Sequence, residues 1–367
     1  MAPHLREVIS ENYEIGDIKK IRKLDRGYVN TSYEIETVRN DKENRYFLRQ
    51  YKKGIKEEEI QFEHSVINHL VKKDFRLVAP LVYTKEGRTY IEQCEGTSER
   101  GKGEVVFISV FEFLPGEDRY TWDNPACNDE ELRNGAAVLA QYHDMVFDLN
   151  PEGRRYEPRI IDLLPLMAEN IRNYAKKGGR TKFDTYFLKN LHPILKAIDR
   201  IRGSIDEREY EELVHLAIHC DYHPGNLKFQ NGEITGLFDF DWSKIDARCF
   251  DVALAITYFC TTWEGKEDGD LQLDETAAFL QTYQRTLDPS RWVGPLGEIE
   301  LKWLPHMIGA SNIYVLNWDL DNFYGKKVDS YEYLLYLQHN VRFMTWLEKE
   351  GNLSQLEKTI RASTGNY

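Results

Sequence analysis

The 367-residue chain contains no C-x-x-C pair, and its five cysteines, Cys94, Cys127, Cys220, Cys249 and Cys260, are odd in number. That pattern argues against both a disulfide framework and a cysteine-built zinc site, and reduced thiols fit a cytoplasmic protein. No apolar run approaches the length of a bilayer span. The opening residues, MAPHLREVISENYEIGDIKK, also lack an apolar core followed by a small-residue cleavage site, so neither export nor a membrane partner is expected. Basic residues are the scarcer charge, 48 Lys and Arg against 61 Asp and Glu, and they are scattered along the chain. A net charge of -13 without a basic block argues against nucleic acid as a partner. There is no Pro/Gly/Ser-rich tract and no internal repeat. What is present, 41% hydrophobic and 13% aromatic residues, is the composition of a globular protein large enough for two domains.

Strand-like segments come first. IKKIRKL, TSYEIETV, RYFLRQY and VVFISVFEFL are short, β-branched or aromatic-rich and separated by Gly, Asn and Asp. One helix interrupts them, in KEEEIQFEHSVINHLVKK, where Ile60, His64, Ile67 and Leu70 fall at helical spacing, with acids at the front and lysines at the back. After FEFLPGEDRY the periodicity becomes helical, through Leu132, Ala136, Leu139 and His143 and then IIDLLPLMAENIRNYAKK, FDTYFLKNLHPILKAIDRIR, FDVALAITYFCTTW and YEYLLYLQHNVRFMTWLEKE. The expectation is an α+β chain with a small β-rich unit over residues 1–115 and a larger, mostly helical one over residues 116–367, divided near Pro115-Gly116.

One stretch departs from ordinary amphipathic sequence. IHCDYHPGNLKFQNGEITGLFDFDW, residues 218–242, concentrates His, Asp, Asn and Gly. Its centre predicts a hairpin, because two alternating runs meet at Asn231-Gly232, the pair a type I′ turn favours. Asp221 and Asn226 then precede the hairpin and Asp239 follows it, so a chain reversal can bring the three together. His219 and His223, four apart, are a conceivable metal pair, but Pro224-Gly225 follows at once and argues for a turn instead of the helix such a pair needs. A metallohydrolase is therefore the lesser reading. The order His219-Cys220-Asp221, four residues, Asn226, then Asp239 across a hairpin has the spacing of a kinase catalytic loop and its second metal-binding carboxylate.

With the sequence HCDYHPGNLKF, ITGLFDFDW and FDVA, the chain resembles the aminoglycoside phosphotransferase and choline kinase superfamily, small-molecule kinases with a bilobal protein-kinase-like fold. The likeness is nearest to the branch of type II homoserine kinases and hydroxylysine kinases. It implies Asp221 as catalytic base, Asn226 and Asp239 as magnesium ligands, His219 as a brace of the loop, and Asp251 as the carboxylate that anchors the loop from below. Asp251 could equally be a simple helix-start carboxylate, and Asp241 an extra metal or substrate ligand or a solvated acid. The family usually has Gly where this chain has Cys220, which reads as a packed thiol.

In the front half the resemblance assigns Gly27, Asn30, Thr31 and Ser32 to a phosphate loop, Arg49 to the strand position that normally carries a phosphate-pairing lysine, and Glu63 as its ion-pair partner. The alternatives are an ordinary hairpin and a surface acid. Glu112 to Leu114 resemble the adenine-binding hinge. Trp318, Asp319 and Asp321, with Tyr314, form an acidic and aromatic mixture suited to an ammonium group, although Tyr314 and Trp318 also have core spacing. The expected activity is ATP- and magnesium-dependent phosphorylation of a hydroxyl on a small polar metabolite, an amino alcohol or hydroxy amino acid such as homoserine. An aminoglycoside or a protein serine/threonine as acceptor, and a nucleotide-binding module without catalysis, are the alternatives.

Overall fold

The computed structural model describes residues 2–24, 29–95, 104–121, 124–326 and 330–363. The chain forms two compact units, one comprising Met1–Pro115, Asn150–Arg154 and Thr235–Asp241, the other Gly116–Leu149, Arg155–Ile234 and Trp242–Tyr367.

In the first unit, helix α1 (Ala2–Asn12) precedes β1 (Asp17–Leu24), β2 (Thr31–Arg39), β3 (Lys42–Gln50), α2 (Glu57–Lys72), β4 (Leu81–Val82), β5 (Ile91–Glu95) and β6 (Glu104–Glu112). The strands make a six-stranded sheet in the order β1-β2-β3-β6-β4, with β5 also on β6, antiparallel at each pairing. Alternation along each strand decides the two faces. Tyr33, Ile35, Leu48, Ile108 and Val110 pack with Leu5, Val8 and Ile9 of α1. Tyr51 and Phe107 pack with Ile60 of α2 on the other face. Arg49 neighbours Leu48, so its side chain goes to the α2 face. Glu34, buried on β2, is held between Arg22 of β1 and Arg45 of β3.

The expected strand, strand, strand, helix, strand order is present, but α1 was not foreseen. A single cut at residue 115 also fails to account for two later segments. The Arg154 amide donates to Glu58 O at 2.9 Å and the Leu237 amide to Leu77 O at 2.6 Å, main-chain bonds that tie both segments into the first unit.

The second unit holds α3 (Asp129–Val146), α4 (Ile160–Lys177), α5 (Lys182–Ser204), α6 (Glu207–Glu211), β7 (His215–Ile218), β8 (Leu227–Gln230), β9 (Glu233–Leu237, which passes into the first unit at Thr235), β10 (Lys244–Ala247), α7 (Arg248–Phe259), α8 (Leu273–Thr286), α9 (Glu298–Asp321), α10 (Ser330–Glu348) and α11 (Asn352–Ala362). Helix α9 is apolar around most of its circumference, as a helix surrounded by others must be, and packs against α7, α10, α4, α5 and α11. Strands β7 and β10 pair antiparallel, and β8 with β9 forms the expected hairpin. Its turn residues Asn231 and Gly232 have φ of 54° and 84°, the two positive values a type I′ turn requires. Among the described residues no helix is long and apolar enough to cross a membrane.

Candidate active site

The catalytic loop begins where β7 ends. His219 and Cys220 donate their amides to Asp251 Oδ2 and Oδ1, each at 2.8 Å, so a carboxylate in the first turn of α7 holds the loop from beneath. Asp251 is fully buried, and His143 Nε2 of α3 lies 3.1 Å from Oδ2. Burial alone would raise its carboxyl, but the bonds from His143 and from the loop backbone hold it below the usual carboxylate range. His143 is itself kept neutral by burial, its Nδ1 2.7 Å from the Tyr283 hydroxyl. The His219 ring packs edge-on against Tyr142 and Tyr222. Cys220 has φ of 63°, a left-handed conformation that favours glycine, which gives a backbone reason for the family's preference at this position. Its thiol is buried, and burial pushes it well above the ordinary range, so it is no nucleophile.

Asp221 follows, with Asn226 at the end of a short 3-10 turn, Pro224–Asn226. The Asn226 Nδ2 donates to both the carbonyl and Oδ2 of Asp221 at 2.9 Å. That fixes the carboxylate and leaves Asn226 Oδ1 as the amide's acceptor for another group. His223 Nε2 stands 3.7 Å from Asp221 Oδ1, and the His223 ring packs against Tyr258.

In the first unit, Arg49 joins two carboxylates. Its Nη1 donates to Glu63 Oε1 and its Nη2 to Asp239 Oδ1, both at 2.8 Å. The guanidinium is buried; burial disfavours its charge, but Asp239, Glu63 and Asp241 together hold its pKa above the ordinary arginine value. Glu63 is no surface acid: it is buried, and the Tyr51 hydroxyl donates to its Oε2 at 2.8 Å. Asp241 is not a solvated acid either. It is 8% exposed, its Oδ2 accepts from Asn30 Nδ2 at 2.7 Å, and its Oδ1 is buried without a hydrogen-bond partner. Asn30 Oδ1 accepts from the Lys52 amide at 3.0 Å, so both ends of this side chain are bonded within the protein and one N–H of its amide is left as a donor. Ser32 is buried opposite Arg49 across β2 and β3, Thr31 opens β2, and Gly27 lies outside the described residues. The Glu112 amide is committed to Pro80 O at 2.9 Å, and Leu114 is buried.

The three acceptor candidates on α9 separate. Asp319 is fully buried, accepts from Asn340 Nδ2 at 2.8 Å, and burial raises its carboxyl well above the usual range. It belongs to the helix packing. Trp318 packs on Tyr333. Asp321 is half-buried and accepts from Tyr174 at 2.5 Å and Asn317 at 3.1 Å.

The residues fit a hard, oxygen-preferring divalent ion better than a transition metal. Asn226 Oδ1 and the partly exposed Asp239 carboxylate are the donor types magnesium takes. Among the described residues no group of three His, Cys, Asp or Glu side chains is placed to hold a metal, and residues 219–223 are not helical, so the paired-histidine centre does not form.

Residues 20–289 match the phosphotransferase enzyme family. The chain belongs to that family. It is an ATP-dependent kinase by class. Relatives include the homoserine kinases of Parvibaculum lavamentivorans, 24% identical over 90% of this chain and 92% of its own, and of Caulobacter vibrioides, 25% identical over 82% and 80%. Among solved structures, an amicoumacin kinase in complex with AMP-PNP and Ca2+ has a TM-score of 0.65 at 16% identity, covering 96% of this chain and 94% of its own. The choline kinase of Cryptosporidium parvum scores 0.64 at 16%, covering 95% and 96%. These likenesses establish the kinase-like fold.

Reading the sequence missed His143, Tyr51 and His64 as supports of the site. His143 falls on the apolar stripe of a helix, and a histidine among apolar helix positions is itself a signal of a buried polar partner.

Proposed function

We propose that this kinase transfers the γ-phosphoryl group of ATP, as its magnesium complex, to a hydroxyl of a small polar metabolite, an amino alcohol or hydroxy amino acid such as homoserine. The observation that carries the reading is the Asn226 amide, whose Nδ2 donates to Asp221 and whose Oδ1 is thereby oriented as an acceptor of the kind a hard cation takes. Asp221 orients the acceptor hydroxyl and takes its proton on a carboxylate oxygen as the hydroxyl oxygen bonds to the γ-phosphorus and the bond to ADP breaks. Asn226 and Asp239 would hold magnesium, which, when bound, neutralises charge on the phosphates. Arg49, fixed between Glu63 and Asp239, offers its guanidinium to phosphate oxygen in place of the usual lysine. Glu112 to Leu114 supply the adenine contacts through main-chain groups other than the Glu112 amide, and Thr31 and Ser32 frame the phosphates.

Homoserine leads among acceptors because curated relatives spanning most of the chain carry that name. The test is ADP formation from magnesium-ATP across homoserine, hydroxylysine, ethanolamine, choline and an aminoglycoside. Asp221→Ala is expected to lower kcat by roughly 100-fold or more while nucleotide still binds. Full activity in that variant would remove Asp221 from the role of base.

A further inference from the structure

Beside the catalytic loop, within the second unit, lies a group of acceptors that the phosphoryl-transfer machinery does not use. Glu157, in the loop before α4, is pinned by one oxygen: its Oε1 accepts from Lys244 Nζ at 2.9 Å and from the Tyr314 hydroxyl at 3.1 Å. Tyr314 in turn receives the Cys220 thiol at 3.7 Å, and Cys220 directly precedes Asp221. Glu157 is thus fixed two hydrogen-bond links from the neighbour of the base. Its Oε2 has no protein partner among the described residues, and its side chain is 19% exposed. Lys244 does not neutralise the locality, because it also stands 3.4 Å from Asp246 Oδ2.

Tyr314, Asn317 and Asp321 follow one another at three and four residues, along one face of α9. Asn317 donates its Nδ2 to Asp321 Oδ2, and its Oδ1 is buried without a partner on a side chain only 8% exposed. An orphaned buried acceptor costs about 1–3 kcal/mol, so it implies a donor absent from the protein itself. Glu157 is bonded to Tyr314 at the start of this face, and Asn317 and Asp321 stand one and two turns further along it. The unpartnered positions, Glu157 Oε2 and Asn317 Oδ1, are acceptors, and the Asp321 carboxyl, which already accepts from Tyr174 and Asn317, adds a third acidic or acceptor group next to Asn317. A primary ammonium group presents three N–H donors and a positive charge, and matches that set. A quaternary ammonium carries the charge but no donor.

We propose that Glu157, Asn317 and Asp321 form a subsite for the primary ammonium group of the phosphate acceptor. This rests on the reading of Asp221 as the base, and it narrows the substrate to a primary amino alcohol or hydroxy amino acid, with quaternary amines such as choline excluded.

The test uses the full-length protein with magnesium-ATP and matched acceptors: homoserine against 4-hydroxybutanoate, and ethanolamine against choline and ethanol. Transfer and, separately, calorimetric binding of each acceptor are measured for wild type, Glu157→Gln and Asn317→Leu. The expected result is preference for the primary amines, with the ratio of kcat/KM for homoserine over 4-hydroxybutanoate falling roughly 10- to 100-fold in each variant through a rise in KM. Asn317→Leu leaves the Lys244 pairing intact, so it stands as the readout if Glu157→Gln does not fold. Equal use of amine and des-amino acceptors by wild type, or an unchanged ratio in both variants, overturns the subsite and leaves the kinase standing. Amine binding that is lost in the variants, with no ADP formed from any acceptor, keeps the subsite and removes the kinase reading on which its substrate role depends.

Discussion

At the scale of single residues, the buried network behind Arg49 sets a pH dependence. The Tyr51 hydroxyl gives its proton to Glu63 Oε2, so His64 Nε2, 3.1 Å from the same hydroxyl, is the donor there, and its Nδ1 accepts from Thr89 at 2.8 Å. His64 is therefore neutral in the fold. Burial first, and the charge of Arg49 second, lower its pKa from 6.5 to about 3. The unfolded chain binds more protons than the native one between those values, so the contribution of His64 is complete above 6.5 and declines as pH falls toward 3, by roughly 5 kcal/mol at most. Urea midpoints measured from pH 7 to pH 4 should show a steeper loss for wild type than for His64→Gln. Equal slopes would contradict a neutral buried His64. The Arg49–Glu63 pair is an expectation of the family resemblance, but Tyr51, His64 and Thr89 were not legible in the sequence, where His64 is one more apolar-face residue of a helix. The contact of Asn226 with Asp221 follows from the spacing of the loop, while the Arg49–Glu63 pair and the Asp251 anchor of the loop are contacts that the family resemblance implies. The resemblance places Asn30 in a phosphate loop, but it does not reveal that Lys52 and Asp241 bond to the two ends of its amide.

At the scale of elements, the local patterns were sufficient wherever residue type, period and turn chemistry agree. The strands β2, β3 and β6, the helix α2 and the β8–β9 hairpin follow from period and turn chemistry. Helix α1 escaped because its stripe is short, Leu5, Val8 and Ile9 among charged residues, and gains meaning only from the sheet face it covers. Ile9 is fully buried there. Ile9→Ala is expected to cost roughly 2–5 kcal/mol by chemical denaturation, the range for emptying a core site. A loss below about 0.5 kcal/mol, the size of an ordinary surface change, would mean that α1 contributes nothing to that core. Asp319 illustrates the opposite limit: a carboxylate in an acidic, aromatic stretch looks like a ligand-binding group, but three-dimensional packing put it against Asn340 inside the helical layers.

At the scale of the whole molecule, the boundary between units was legible only as a change of periodicity near Pro115. What the linear reading could not give is that residues 150–154 and 235–241 belong to the first unit, since their membership rests on main-chain bonds and on Arg49 rather than on any local pattern. Residues 1–115 on their own therefore leave a buried guanidinium with only one of its carboxylates. Expressed alone, that fragment should lack the sharp unfolding transition of the full chain in circular dichroism. A fragment melting as cooperatively as the intact protein would show the later segments to be dispensable.

The Arg49 to Asp239 bond spans 190 positions. A ribosome releases the chain from its first residue onward, so Arg49 has emerged long before the carboxylate it needs has been translated. By the time Asp239 leaves the exit tunnel, Asp221 and Asn226 already exist. The first unit therefore closes only after most of the second has been made, and a nascent chain arrested anywhere before residue 239 should leave Arg49 with one carboxylate, which weakened ATP capture by the arrested chain would report if Arg49 holds phosphate.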